Sequence, residues 1–167
     1  MIRIGITGPE SSGKTTLAKA LSEELGASYI SEFARKYLTE LGRPYEQNDL
    51  IEIAKGQLNG ILTGSSSLQI IDTDFIVLKI WLEEKYNSTS AYIEDLIAKN
   101  HFDLHILCTP DIPWEEDSLR ENPDDRDRLF KLYLQELIDR NKSFIVVKGS
   151  LDHRLIKSTE AIHAISK

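Results

Sequence analysis

Short apolar runs with little alternation recur along this chain. Between them lie longer stretches whose apolar positions return every three or four residues. The first pattern predicts strands buried on both faces and the second predicts helices. IRIGIT (2–7) reads as a strand, then a loop, then the helix KTTLAKALSEEL (14–25). ASYIS (27–31) is a short second strand, and EFARKYLTEL (32–41) a helix stopped by Gly42 and Pro44. NDLIEIAKGQLNGIL (48–62) is a helix with Asn48 as its expected cap. SLQIIDTD (67–74) is strand three, followed by helical FIVLKIWLEEKY (75–86) and SAYIEDLIAKN (90–100). Trp81, at helical spacing with Phe75, Leu78 and Ile80, reads as core. DLHILCT (103–109) and KSFIVVK (142–148) are strands four and five, and LDHRLIKSTEAIHAISK (151–167) is a closing helix.

Strands alternating with helices in this way predict an α/β fold, a parallel sheet with helices on both faces. One stretch breaks the rhythm. PDIPWEEDSLRENPDDRDRL (110–129) is charged, carries three prolines, and is too long for an ordinary connection. It reads either as a solvated loop leading into a helix or as a mobile lid.

Composition changes this picture little. A length of 167 residues suits one domain, 1–167, and apolar and charged contents of 41% and 28% are ordinary for a globular protein. A net charge of −7 argues against a general nucleic-acid or membrane-surface binder. No apolar window is long enough to span a membrane, and MIRIGITG runs straight into a strand, so no secretory leader is expected. The single cysteine, Cys108, sits inside LHILC and is expected to be a buried small residue in a reducing cytoplasm.

The chemistry begins at GPESSGKT. Gly8, Gly13, Lys14 and Thr15 match G-x-x-x-x-G-K-[ST], between a strand and a helix. Gly8 permits the sharp turn, and Gly13 lets backbone N–H groups approach phosphate at a helix N-terminus. Lys14 would reach the β- and γ-phosphates of ATP, and the Thr15 hydroxyl would ligate Mg²⁺.

That loop serves several kinds of nucleotide machine. A GTPase would carry N-K-x-D after strand four, but NKSF (141–144) lacks the Asp, and strand three ends in DTDF rather than D-x-x-G. A ring-forming motor ATPase would need more chain, including a helical lid domain. A small-molecule kinase needs a carboxylate beside the acceptor hydroxyl and arginines over the transferring phosphoryl group. Glu32 falls where strand two ends, at the same crevice as the phosphate loop, and Arg35 follows one turn later. Asp72 and Asp74 leave an apolar strand, where an unpaired carboxylate would be costly to bury. One, with Asp72 in the metal role, can hold Mg²⁺ and the other can orient or deprotonate the acceptor. The 110–129 segment supplies Arg120, Arg126 and Arg128, of which Arg120 and Arg126 are the expected functional pair. Alternatively, ATP binding orders the lid to recruit a partner, and turnover is incidental.

GPESSGKTTLAKAL, EFARKYL, IIDTDF, FDLHILCTPDIPWEEDSLR and FIVVKGSLDHR resemble the ATP-binding kinase domain of NadR-like proteins, the bacterial ribosylnicotinamide kinases. The similarity runs over almost the whole chain. It implies a P-loop kinase fold with five parallel strands ordered 2-3-1-4-5, and phosphorylation of a ribosyl 5′-hydroxyl by ATP with Mg²⁺. By this resemblance Gly8, Glu10, Ser11, Ser12, Gly13, Lys14, Thr15 and Thr16 form the nucleotide site. Glu32 and Arg35 serve the acceptor, Asp72 and Asp74 catalysis and metal, Arg120 the lid, and Arg154 the surroundings of adenine. Ser31 and Leu58 stand where aromatic side chains are expected to stack on the pyridine ring. Phe33, Tyr37, Trp81 or Trp114 could substitute, with Tyr37 taken as an acceptor-site residue. The expected partner is a small molecule, not nucleic acid or membrane, with the oligomeric state open.

Overall fold

The computed structural model describes residues 1–166. Its sheet has five parallel strands. β1 (Ile2–Thr7) lies between β3 (Leu68–Asp72) and β4 (Leu104–Cys108), β2 (Ser28–Ile30) flanks β3, and β5 (Phe144–Val147) flanks β4. The order 2-3-1-4-5 is the expected one. Ile6 pairs with Asp72 on one side and Ile106 on the other. The chain builds outward from β1 first to one side and then to the other. The crevice at the carboxyl ends of β1, β3 and β4 is therefore the place where such sheets bind ligands.

Helices α1 (Lys14–Leu25) and α7 (Leu151–Ile165) cover one face, packing on Ile4, Ile6, Ile70, Leu104 and Ile106. The other face carries α3 (Gln47–Thr63), α4 (Phe75–Tyr86), α5 (Ala91–Lys99) and α6 (Arg126–Asp139), with α2 (Phe33–Glu40) against α3. Ile71 and Leu107 enter that second core beside Phe75, Ile76 and Leu137. Adjacent residues such as Ile70 and Ile71 thus serve opposite cores. That is why the strand sequences show no polar alternation.

Three local expectations change. The cap of α3 is Glu46, not Asn48, because Asp49 in the first turn reaches back to accept the Glu46 N–H at 2.7 Å. β3 stops at Asp72, and Thr73 takes a left-handed φ of 75° that turns the chain out of the sheet. The 110–129 segment has no helix or strand through 125, but 126–129 already form the first turn of α6. Cys108 is fully buried, as expected, and burial pushes its thiol up to about 11. Among the described residues, no helix is long and apolar enough to cross a membrane.

Candidate functional site

A cleft of about 490 Å³ opens at the carboxyl ends of the strands. Its floor is the loop between β1 and α1. Gly8 and Gly13 have φ of 132° and 80°, conformations that side-chain-bearing residues avoid. A Cβ on Gly8 would sit 2.7 Å from the Cys108 carbonyl oxygen, so the loop turns only because it can lie directly on the end of β4. The Ser12 hydroxyl ties the loop to itself through the Pro9 carbonyl at 2.7 Å. Lys14 Nζ donates to the Gly8 and Pro9 carbonyls at 2.9 and 2.7 Å. Glu10, Ser11, Ser12, Thr15 and Thr16 line the same floor.

Beside this floor β2 and β3 deliver their terminal carboxylates. Glu32 occupies the N-cap position of α2, yet its side chain accepts no hydrogen bond from that helix and instead lines the cleft. Burial raises its pKa, Lys14 and Arg35 oppose that rise, and Asp72 adds to it. Asp72 is buried, and its Oδ2 accepts the Tyr29 hydroxyl at 3.1 Å. Its Oδ1 is buried with no protein donor among the described residues. Arg35 does not pair with Glu32. It reaches the 110–125 segment, 2.8 Å from Asp117.

Several expected site residues lie elsewhere. Asp74 is fully engaged behind the phosphate loop. Its Oδ1 accepts from Val77 N–H, capping α4, and from the Thr7 hydroxyl, while Oδ2 shares a 2.8 Å hydrogen bond with buried His105. The chain turns out of the sheet at Thr73, so Asp74 does not follow Asp72 along the strand. Tyr37 donates to Asp49 at 2.8 Å and packs on Phe33, outside the cleft lining. Arg126 does not point into the cleft, since its guanidinium donates to the Ser11 and Ile112 carbonyls at 2.9 and 3.0 Å. Arg154 is buried, and its donors are taken by the Gly149, Ser12 and Thr109 carbonyls and by Asp111. Its guanidinium thus braces the phosphate loop to the segments that follow β4 and β5.

The 110–125 segment closes over the floor. Glu10 accepts the Glu121 and Asn122 N–H groups, both at 3.0 Å, and the Ser11 hydroxyl accepts Glu115 N–H at 3.0 Å. Arg120 lines the cleft, as expected, as does Arg128.

Sequence leaves Trp81 between a core position and a substitute aromatic, and the structure puts it in the outer wall. Trp81 is not core. It lines the cleft with Val77, Ile80, Glu84 and Lys85, all on one face of α4, and with Leu38 and Tyr133. Its indole N–H donates to the Tyr45 hydroxyl at 2.9 Å. Ser31 is exposed and Leu58 packs against the core, and neither lines the cleft, whereas Trp81 does.

Comparison with known proteins agrees with this architecture. The trifunctional NAD biosynthesis/regulator proteins NadR of Salmonella typhimurium LT2 and Escherichia coli K12 are each 27% identical over 95% of the chain. The chain spans 41% of their length. A NadR structure in complex with NR superposes with a TM-score of 0.82 at 20% identity, covering 98% of this chain and 51% of that one. The deoxyadenosine kinase of M. mycoides with bound dATP gives 0.66 at 15% identity, covering 97% of this chain and all of that one. The fold is the one shared with these NadR and deoxyadenosine kinase structures. Residues 3–154 match the family described as an AAA domain, and the chain belongs to that family.

Proposed function

We propose that this chain is an ATP-dependent kinase of a small ribosyl acceptor, with nicotinamide riboside the best single candidate. The observation that carries the reading is the shared cleft. A Glu32 carboxylate that caps no helix lines it beside the phosphate loop, together with Trp81. NadR, a relative over 95% of this chain, has a structure in complex with NR.

In this mechanism the backbone N–H groups of 10–13 hold the phosphates, and Lys14 exchanges its loop carbonyls for phosphate oxygens. Trp81 stacks on the acceptor's aromatic ring. Glu32 accepts the proton of the ribosyl hydroxyl as that oxygen forms its bond to the γ-phosphorus and the bond to the β-γ bridging oxygen breaks. Arg120 neutralises charge on the transferring group, and ADP leaves. The Thr15 hydroxyl and Asp72 suit Mg²⁺, because Asp72 presents a buried oxygen without a protein donor. Once bound, the ion would neutralise the phosphates.

The test is a screen of nicotinamide riboside, other pyridine ribosides, adenosine and deoxyadenosine for ADP release above the basal rate. Stimulation by nicotinamide riboside supports the full reading, and stimulation by a nucleoside alone moves the acceptor. ATP binding with no stimulated turnover leaves the alternative, a nucleotide-dependent binding module.

A further inference from the structure

Gln57 does not line the cleft, yet it joins the segment that follows Glu32, which lines it, to the one that ends in the buried Asp72. From the middle of α3 its Oε1 accepts the Phe33 N–H at 2.8 Å. Its Nε2 donates to the Asp72 and Thr73 carbonyls at 3.3 and 3.2 Å. The side chain is buried, so none of these groups can turn to solvent instead.

Each end of this bridge meets a specific need. The Phe33 N–H is one of the donors left without a helical partner at the start of α2. An N-cap side chain ordinarily serves such donors, but Glu32 serves none. Gln57 supplies the missing acceptor, and Glu32 stays free to face the cleft. At the other end, Thr73 is β-branched with φ of 75°, a strained conformation that surrounding structure must hold. The carbonyls Gln57 grips are those of Thr73 itself and of Asp72 before it. A third fixture lies one residue away. The Phe33 ring covers Gly56 so closely that a Cβ there would fall 2.2 Å from a ring carbon.

We propose that Gln57 is a positioning residue, fixing Glu32 relative to Asp72 through main-chain hydrogen bonds without touching substrate. This rests on the reading of Glu32 and Asp72 as the working carboxylates of a phosphotransferase. Methionine would fill the same space with no polar atoms to offer. Glutamate would keep the acceptor for Phe33 but, when ionised, would set an anion against two carbonyls. Once protonated, it would regain one donor.

The experiment compares the full chain with Gln57→Met and Gln57→Glu. The readouts are steady-state ADP release with ATP and Mg²⁺ at several pH values, and the Glu32 carboxyl titration followed by ¹³C NMR. Gln57→Met is expected to lose kcat by roughly tenfold to a hundredfold, the order of cost for an ångström-scale misplacement, with KM for ATP within about twofold. Relative to wild type, Gln57→Glu is expected to recover as pH falls. A folded Gln57→Met with wild-type kcat overturns the proposal, as does a Gln57→Glu that tracks wild type at every pH. If no acceptor stimulates wild-type turnover, the kinase reading fails, and the NMR arm then decides. A Glu32 titration unchanged in both variants overturns the positioning role, and one that moves towards that of an ordinary glutamate sustains it. Should Gln57→Met not fold, Gln57→Glu carries both readouts.

Discussion

Replacing Gly56 with alanine sets a helix gain against a defined clash. In a helix interior this change normally stabilises by about 1 kcal/mol. Here the new methyl would lie 2.2, 2.3 and 2.4 Å from three carbons of the Phe33 ring, whereas ordinary contact begins near 3.4 Å. The ring must therefore retreat by roughly 1 Å. Overpacking of this kind costs about 1–3 kcal/mol, so the net change is a loss of up to about 2 kcal/mol. For a chain of this size that lowers Tm by no more than about 8 °C. The functional effect is larger. Phe33 follows Glu32, and its N–H is held by Gln57, so the ring's retreat drags the carboxylate with it. An ångström at a reacting group costs on the order of a hundredfold in kcat, while the phosphate loop and KM for ATP stay as they were. Gly60→Ala, one turn on, is the control. Its methyl meets only the Ile30 Cγ2 at 3.3 Å, so helix propensity should prevail, with Tm unchanged or higher and kcat intact. The assay is thermal melting by circular dichroism beside steady-state ADP release. A Gly56→Ala protein that melts higher than wild type and turns over normally would refute the reasoning, because Phe33 would then be free to move without consequence.

The other expectations are shorter. Lys14→Ala should abolish ATP turnover in a folded protein, checked by circular dichroism and ADP release. Trp81→Leu should raise KM for nicotinamide riboside roughly five- to thirtyfold with little change in kcat. That corresponds to about 1–2 kcal/mol of stacking and cation–π attraction, measured by varying the riboside at saturating ATP. Because burial raises the Glu32 pKa, the acid limb of kcat/KM should lie above pH 4.5, the ordinary glutamate value. Between that value and the raised one the folded state holds more protons than the unfolded, so stability falls as pH rises through the folded pKa. Glu32→Gln should accordingly melt higher than wild type at pH 7 while losing phosphoryl transfer.

What the sequence could show divides by whether a residue's role is set locally. The phosphate loop was legible because Gly8, Gly13, Lys14 and Thr15 act through their own backbone and their place between a strand and a helix. The place of Glu32 in the cleft was legible because a polar residue ending an apolar strand of a parallel sheet has only one crevice to face. Asp74 was not, since its fate turned on Thr73, and nothing in a threonine's chemistry announces a left-handed conformation. Trp81 was hidden by the helix around it. Phe75, Ile76, Val77, Leu78, Ile80 and Leu82 are all buried, so α4 is apolar on every side and periodicity cannot say which stripe meets the cleft. Gln57 offered less still, because a glutamine within a helix reads as a solvated position until its three main-chain partners are known.

The two arginines expected to act together from the 110–129 segment sit differently. Arg126 and Arg120 come from one charged stretch, but Arg126 grips the Ser11 carbonyl while Arg120 lines the cleft. Arg154 grips the next carbonyl, that of Ser12, from α7. In a trans peptide the C=O and N–H point opposite ways. Two guanidinium groups holding the Ser11 and Ser12 oxygens therefore turn the N–H groups of Ser12 and Gly13 away from themselves. Ser12 and Gly13 both line the cleft. Positive charge is thus spent on orienting the loop's own dipoles, so that an anion arriving at the floor meets donors already aligned. An arginine near a phosphate loop can serve the phosphate without touching it. Arg120 also donates to a carbonyl, that of Glu115, but unlike Arg126 it lines the cleft as well.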